Sequence, residues 1–352
     1  MGRALRWLGG VVGGIGLLFV LAAVVAAATD RPSDTPVEID PSEPAVAAYL
    51  DAEAALMAQH GLAYEEHTVE LDDPDLTIRV LEVGDGPPVV IVPGETGEAA
   101  RHAPLAAELD GWRLLLVNRP GGGASDAVDH RAVDLRELAV ATLDAVYDVF
   151  GLDEAPIVAN SVGGAWAWWY ALERPERVPA SAQLGAPGLV DGTAMPPAMR
   201  PLGIPGVNRL LLALIEPDGP DDAGEVLMFL GHPEETLDAD PDALLDLEYR
   251  ARHLPTYRLA WRSLVQEATG PLGEFADGYV LGRDELAGLA HPVLLLWPAD
   301  DPCGDLEAGR HVAGLFPDAD LEVVGVGHYP WLDEPAEAAR LIDGHLRAAT
   351  GR

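Results

Sequence analysis

Short apolar runs recur along this 352-residue chain, separated by longer stretches with helical spacing. The runs at 88–92, 113–118, 156–160, 180–185, 293–297 and 321–326 are short and mostly apolar, as buried strands require. The stretches 98–109, 133–150, 162–174, 306–316 and 335–349 place apolar residues three and four apart, which predicts helices. Ahead of them, "HTVEL" (67–71) and "LTIRVLEV" (76–83) alternate in polarity and predict two paired strands turning at Asp72 to Pro74. A further helix fits 45–60, ended by Gly61. Two strands followed by repeated strand–helix units predict an α/β fold: a mostly parallel sheet, helices on both faces, and an antiparallel edge. Ligands in such sheets bind at the carboxyl ends of the strands.

From 188 to 290 the alternation stops. "VNRLLLALIE", "DALLDLEYRARHL" and "TYRLAWRSLVQE" have helical periods broken by Pro, Gly and Asp, with no clear strand. The expected organisation is therefore a core of residues 45–187 and 291–352, with a helical cap inserted at 188–290. Residues 30–44, "DRPSDTPVEIDPSEP", are acidic and Pro-rich and predict a flexible, extended linker. No internal repeat is visible.

The first 29 residues have a different character. Arg3 and Arg6 precede an apolar run over 7–29, long enough for the roughly 20 residues of a spanning helix. The positive end predicts the amino terminus inside and the body outside. Small residues at 26–28 also permit a cleaved signal peptide. Both readings export the body, giving a membrane-anchored protein with an extracytoplasmic catalytic domain, or a secreted one.

Charge narrows the choice of partners. Asp and Glu number 58 against 22 basic residues, all of them Arg, for a formal net charge of −36. Such a surface repels phosphate backbones, so nucleic acid is not an expected partner. The single cysteine, Cys303, excludes an intramolecular disulfide and a cysteine-based zinc site. With no Cys-x-x-Cys, His-Glu-x-x-His or phosphate-loop pattern, no metal or cofactor is expected.

The candidate chemistry begins at "IVANSVGGAWAWWYALERPERV" (157–178), where a strand passes straight into a helix with Ser161 at the joint. Serine is a good helix N-cap. It is also the residue of a nucleophile elbow, a strained turn that exposes the hydroxyl. Ala159 and Gly163 are small, as a tight turn demands, although the usual pattern has Gly in place of Ala159. A serine nucleophile needs a base, and the base needs an anion to orient it. "VLLLWPADDPCG" ends a strand in a loop with Asp300 and Asp301, and "LEVVGVGHYPWLDEP" ends one at Gly327 and His328. Ser161, Asp301, His328 is the order of nucleophile, acid and base expected on such a sheet, with Asp300 as the alternative acid.

From about residue 76 to 349 these segments resemble the α/β-hydrolase superfamily, especially its capped serine esterases and meta-cleavage C–C hydrolases. "VVIVPGETGEAARHAPLAAEL" resembles the oxyanion-strand motif and "LLLVNRPGGGASD" the Asp-x-x-Gly-x-Gly-x-Ser-Asp turn. Pro93 and Gly94 replace the usual His-Gly, Asn118 replaces the turn's Asp, and Pro298 replaces the Gly of Gly-x-x-Asp. Counting three on from Pro298 selects Asp301. The resemblance implies an α/β-hydrolase fold and a Ser161–Asp301–His328 triad. It also implies an oxyanion hole from the backbone N–H groups of Val162 and Glu95. The Glu95 carboxylate must then point away from the oxyanion.

The implied function is a serine hydrolase that forms an acyl-enzyme from a small carboxylic ester. Serine as nucleophile disfavours the epoxide-hydrolase and dehalogenase branches. "ANSVGG" and "GAPGL" are similar to runs in meta-cleavage C–C hydrolases, which makes that chemistry the alternative. A catalytically silent binding protein of the same fold is a third reading. The expected partners are a small-molecule substrate and, through the N-terminal segment, a membrane; oligomeric state is not legible. Arg250 and Arg252 can serve a substrate carboxylate or form a solvated helix face. Cys303 reads as a bystander and Trp166, Trp168 and Trp169 as packing. His60, His67, His102 and His232 lack metal-ligand spacing.

Overall fold

The apolar runs pair into one sheet. Its strands are β1 (Tyr64–Asp72), β2 (Asp75–Val83), β3 (Pro88–Val92), β4 (Arg113–Val117), β5 (Ile157–Asn160), β6 (Ser181–Leu184), β7 (Val293–Trp297) and β8 (Ala319–Val323). The computed structural model describes residues 21–95, 97–214, 216–239, 241–270 and 273–352. Across the sheet the order is β1-β2-β4-β3-β5-β6-β7-β8. β1–β2 and β2–β4 pair antiparallel, and every later pair is parallel. This is the mostly parallel α/β sheet with an antiparallel edge that the periodicity predicts. β5, β6 and β7 are buried along their whole lengths, because helices cover both faces.

Side-chain chemistry sets the helix boundaries. Asp134 accepts from the N–H groups of Arg136 and Glu137 and starts helix Leu135–Val149; Asp305 does the same for Leu306–Ala313. Helix 98–109 of the sequence reading starts later, as a 3-10 turn at Ala100–His102 followed by Ala103–Glu108. Ahead of it the Ala99 N–H donates to the Asn118 side chain at 2.8 Å. β8 ends before the expected 326. Beyond Val323 the pairing continues only irregularly, with main-chain bonds linking 324–326 to residues 297, 299 and 300, while the N–H groups of Val326 and Gly327 turn to the Asp333 carboxylate, both at 2.8 Å.

Between β6 and β7 the chain is helical, with helices Val207–Leu214, Pro220–Phe229, Glu234–Ala239, Pro241–Arg252, Pro255–Ala268 and Arg283–Leu286. Within it, among the described residues, β pairing is limited to single bridges such as Thr269 with Phe275.

The amino-terminal expectations need correction. A membrane anchor or signal segment over residues 1–29, and the extracytoplasmic location built on it, are not supported. Among the described residues no helix is long and apolar enough to cross a membrane. Residues 1–20 of that stretch lie outside the described residues. The described part, 21–29, is helical and set against the body: a Cβ on Gly206 would lie 2.0 Å from the Ala23 carbonyl oxygen. The flexible linker expected at 30–44 is extended yet pinned. Asp30 sits between Arg131 and Arg262, Val37 bridges Ala127, and the Ile39 N–H donates to Asp126 at 2.8 Å. Ion pairs and main-chain bonds fix a segment whose composition alone reads as free.

Helix Val162–Glu173 leaves the sheet so close to β3 that Gly163 has no room for a side chain. A Cβ there would lie 2.4 Å from the Val92 oxygen and 2.7 Å from that of Pro93. Gly163→Ala should therefore destabilise the fold by about 1–3 kcal/mol, the usual cost of overpacking. Urea unfolding checks this: the midpoint falls while the slope is unchanged.

Candidate active site

The turn from β5 into helix Val162–Glu173 places Ser161. Its backbone sits at φ 51° and ψ −128°, a region that a residue with a Cβ rarely occupies. Such a conformation costs on the order of 1–3 kcal/mol and persists where its surroundings over-determine it. Here they do. The Ser161 N–H and the Asn160 side-chain amide both donate to the Leu184 carbonyl, at 3.3 and 2.8 Å. Gly94 closes the other side, where a Cβ would lie 2.7 Å from that of Ser161. Ser161 occupies the N-cap position, but its side chain accepts no hydrogen bond from the helix. Capping therefore does not account for this serine.

His328 and Asp301 meet at the ends of β8 and β7. The His328 Nδ1–H donates to both Asp301 carboxylate oxygens, at 3.0 and 2.8 Å, and both residues are buried. The same carboxylate accepts from the N–H groups of Ala186 and Cys303, each at 2.8 Å. Burial pushes the Asp301 carboxyl up. The His328 charge and these four hydrogen bonds reverse the effect and hold it below its ordinary value. Burial likewise disfavours charge on His328, but the Asp301 carboxylate outweighs it and raises the imidazole well above an ordinary histidine. Asp300, the alternative acid, is exposed. The Cys303 sulfur lies within 4.8 Å of these ligand atoms, yet the carboxylate is already fully engaged with hydrogen-bond donors.

The cap reaches into this loop. The His328 N–H donates to the Leu230 carbonyl at 2.9 Å, and the Tyr329 N–H to His232 Nε2 at 3.2 Å. With Nε2 accepting, the His232 proton sits on Nδ1, which donates to Asp333 at 2.9 Å.

Ser161, Val162, Glu95 and His328 line one cavity beneath the cap. Its walls are otherwise largely apolar, with Leu189, Met195, Leu230, Trp261, Leu264 and Phe275 among them. Among the described residues no arginine lines it. Glu95 is turned aside: its carboxylate accepts from the Tyr329 hydroxyl at 3.0 Å and faces Arg252 at 3.6 Å. Burial pushes its pKa up, but Arg252 and Arg101 outweigh that and keep it below the ordinary carboxylate value.

Glu95 belongs to a larger buried array. Arg101 binds Glu98 and both oxygens of Glu248, and donates to the Tyr329 hydroxyl at 3.1 Å. Arg252 lies 3.7 Å from Glu248 and donates to Tyr257 at 2.8 Å. Three carboxylates thus face two guanidiniums. Burial, with Glu248 and Glu95 nearby, pushes Glu98 up to about 7.

A model of the α/β-hydrolase fold matches residues 87–335, spanning β3 to the segment after His328. The chain belongs to the α/β-hydrolase family. It is similar to the 2-hydroxy-6-oxononadienedioate/2-hydroxy-6-oxononatrienedioate hydrolase of Burkholderia vietnamiensis (strain G4 / LMG 22486). The identity there is 26% over 283 residues, covering 78% of this chain and 93% of the relative. It is also similar to the 2-hydroxy-6-oxo-6-phenylhexa-2,4-dienoate hydrolase of Comamonas testosteroni, at 27% identity over 79% of this chain and 94% of that one. Among solved structures, carboxylesterase CesB (YbfK) from Bacillus subtilis superposes with a TM-score of 0.66 at 18% identity, over 87% of this chain and 99% of its own. That likeness is one of fold. This α/β-hydrolase is accordingly a hydrolytic enzyme.

Of the residues singled out in the sequence, the structure draws Asp301 to His328 and sets both beside the cavity of Ser161, Val162 and Glu95. It does not bring Arg250 there; that residue pairs with Asp246 on its own helix. Arg252 is committed to the buried array. Trp166, Trp168 and Trp169 are core, and His102 stacks on Trp331. The array itself was missed. Glu98 and Arg101 stand three apart in sequence, but Glu248 lies 147 residues from Arg101, and no local pattern signals that partnership.

A histidine base acts in its neutral form, so kcat/KM should rise with pH through an apparent pKa above the ordinary ~6.5 of histidine. Asp301→Asn should shift that limb to lower pH and cut kcat by about 10⁴. Asp300→Asn should leave both nearly unchanged, and pH–rate profiles of the three proteins decide it. The Glu98 pKa is raised on folding, so its stability contribution is present below ~4.5 and lost as pH climbs towards about 7. Glu98→Gln should flatten the fall of melting temperature across that window.

Proposed function

We propose that this chain is a serine hydrolase that cleaves esters of uncharged, apolar acids through an acyl-Ser161 intermediate. The observation that carries the reading is the uncapped, strained Ser161 in one cavity with His328, whose ring Asp301 holds from behind. Ser161 Oγ attacks the ester carbonyl and its proton passes to His328 Nε2, while Asp301 holds the imidazolium. The backbone N–H groups of Val162 and Glu95 receive the oxyanion. Collapse expels the alcohol with the proton from His328. Water, deprotonated by the same base, then releases the acid and frees Ser161.

The cavity supports an apolar acyl group: a carboxylate-bearing substrate would meet the anionic Glu95 without a lining arginine among the described residues. A second reading, C–C bond hydrolysis, draws support from the names of the curated relatives and from the run "ANSVGG". The Glu95 carboxylate on the cavity wall weighs against a dianionic dienedioate substrate.

A fluorophosphonate probe should label the wild-type protein at Ser161, and Ser161→Ala should abolish labelling. An unlabelled wild type would overturn the acyl-Ser161 reading. Turnover of p-nitrophenyl esters of increasing chain length, beside a ring-cleavage dienoate, separates the two chemistries; faster dienoate turnover would replace the ester reading. Ser161→Ala and His328→Ala should each cost about 10⁴–10⁶ in kcat, and together little more, because they act as a unit.

A further inference from the structure

Behind the 93–95 loop lies Arg119, buried and stacked over Trp166 with its guanidinium carbon 4.9 Å from the ring centre. Among the described residues it makes no ion pair. Its hydrogen bonds go instead to three consecutive carbonyls: Nε donates to Pro93 O at 2.8 Å, and one Nη to Gly94 O and to Glu95 O, the latter at 3.0 Å. Its own N–H donates to Gly97 O at 3.0 Å, and Gly97 N–H returns to Gly94 O at 2.9 Å. A buried guanidinium without a carboxylate is costly to keep. Burial duly lowers its pKa to about 10, against the pull of Glu98 and Glu95. Something other than charge pairing must repay that cost.

Peptide geometry supplies the reason. In a planar trans unit the C=O and N–H point in opposite directions. Fixing the Gly94 carbonyl on Arg119 therefore turns the Glu95 N–H the other way, away from the guanidinium. Gly94 abuts Ser161 on that loop, and Glu95 lines the Ser161 cavity. Residue 93 is a proline and contributes no N–H. We infer that Arg119 is a positioning residue that holds the 93–95 loop with the Glu95 N–H aimed at the oxyanion formed on acylation of Ser161. This rests on the acyl-transfer reading above. Arg119 does not touch the substrate; it acts through the backbone that does.

The test uses the full chain with Arg119→Gln and Arg119→Lys, a p-nitrophenyl ester, and two ketones of the same acyl shape. A trifluoromethyl ketone adds the serine oxygen and generates an oxyanion; its unfluorinated counterpart only fills the cavity. Arg119→Gln should lower kcat by roughly 10- to 100-fold, since displacing one oxyanion donor has effects of that order or larger. KM should change by less than about threefold. The trifluoromethyl ketone should weaken in proportion to kcat/KM while the plain ketone binds as before. Arg119→Lys, which keeps the charge but not the three-way reach, should lie between, and decides alone if the Gln variant does not fold. A folded variant with unchanged kcat, or equal weakening of both ketones, overturns the inference. If the wild type neither turns over esters nor labels at Ser161, the acyl-transfer reading has failed, and the role of Arg119 goes with it.

Discussion

The tight passage of the backbone at the end of β5 is the constraint on which the rest of the site depends. Three chain segments meet there with almost no side-chain volume between them: the β3 end at Pro93 and Gly94, the turn at Ser161, and the first turn of the following helix at Gly163. Close approach lets the sheet hold Ser161 in a conformation that an isolated peptide would abandon. It also brings the amide of Val162 and the loop of Glu95 to the same small volume. Glycine serves here through its lack of a Cβ, at positions where backbone atoms themselves are the neighbours.

Around this passage the protein uses its few cations sparingly and inside. The chain has 22 arginines against 58 acidic residues, yet several of the arginines are buried. Arg79 joins Glu53 within the core, and Arg101 and Arg252 tie Glu95, Glu98 and Glu248 together beneath the cap. With one proton on Glu98 the latter array balances, two carboxylates against two guanidiniums. Such arrays add little net stability but punish misplacement, since a lost partner leaves a buried charge uncompensated. Their value is in register: helix Pro241–Arg252 of the cap can satisfy Arg101 from few positions.

Much of this architecture was legible in the order of residues. The strand cores were, because buried parallel strands announce themselves as apolar runs, and so was the sequence of Ser161, Asp301 and His328 at strand ends. Strand ends were less so: past β8 the pairing turns irregular and the Val326 and Gly327 amides go to Asp333, a side-chain event no periodicity registers. Which of Asp300 and Asp301 meets His328 needed the fold, because adjacent residues of like chemistry do not reveal it. The leader read as an anchor from hydropathy alone, and the acidic stretch after it as a tether, because neither reading can see Arg131 and Arg262 waiting for Asp30. The array around Glu95 was invisible for the same reason, its members being dispersed from Glu95 to Tyr329.

The hydrogen bond from the His328 amide to the Leu230 carbonyl joins the His328 loop to the cap, and His232 reinforces it through the Tyr329 amide. Leu230 also walls the cavity, so the stretch of cap that shapes the pocket is at the same time a brace for the loop carrying the imidazole. Its main chain cannot shift to reshape the pocket without giving up a bond to that loop.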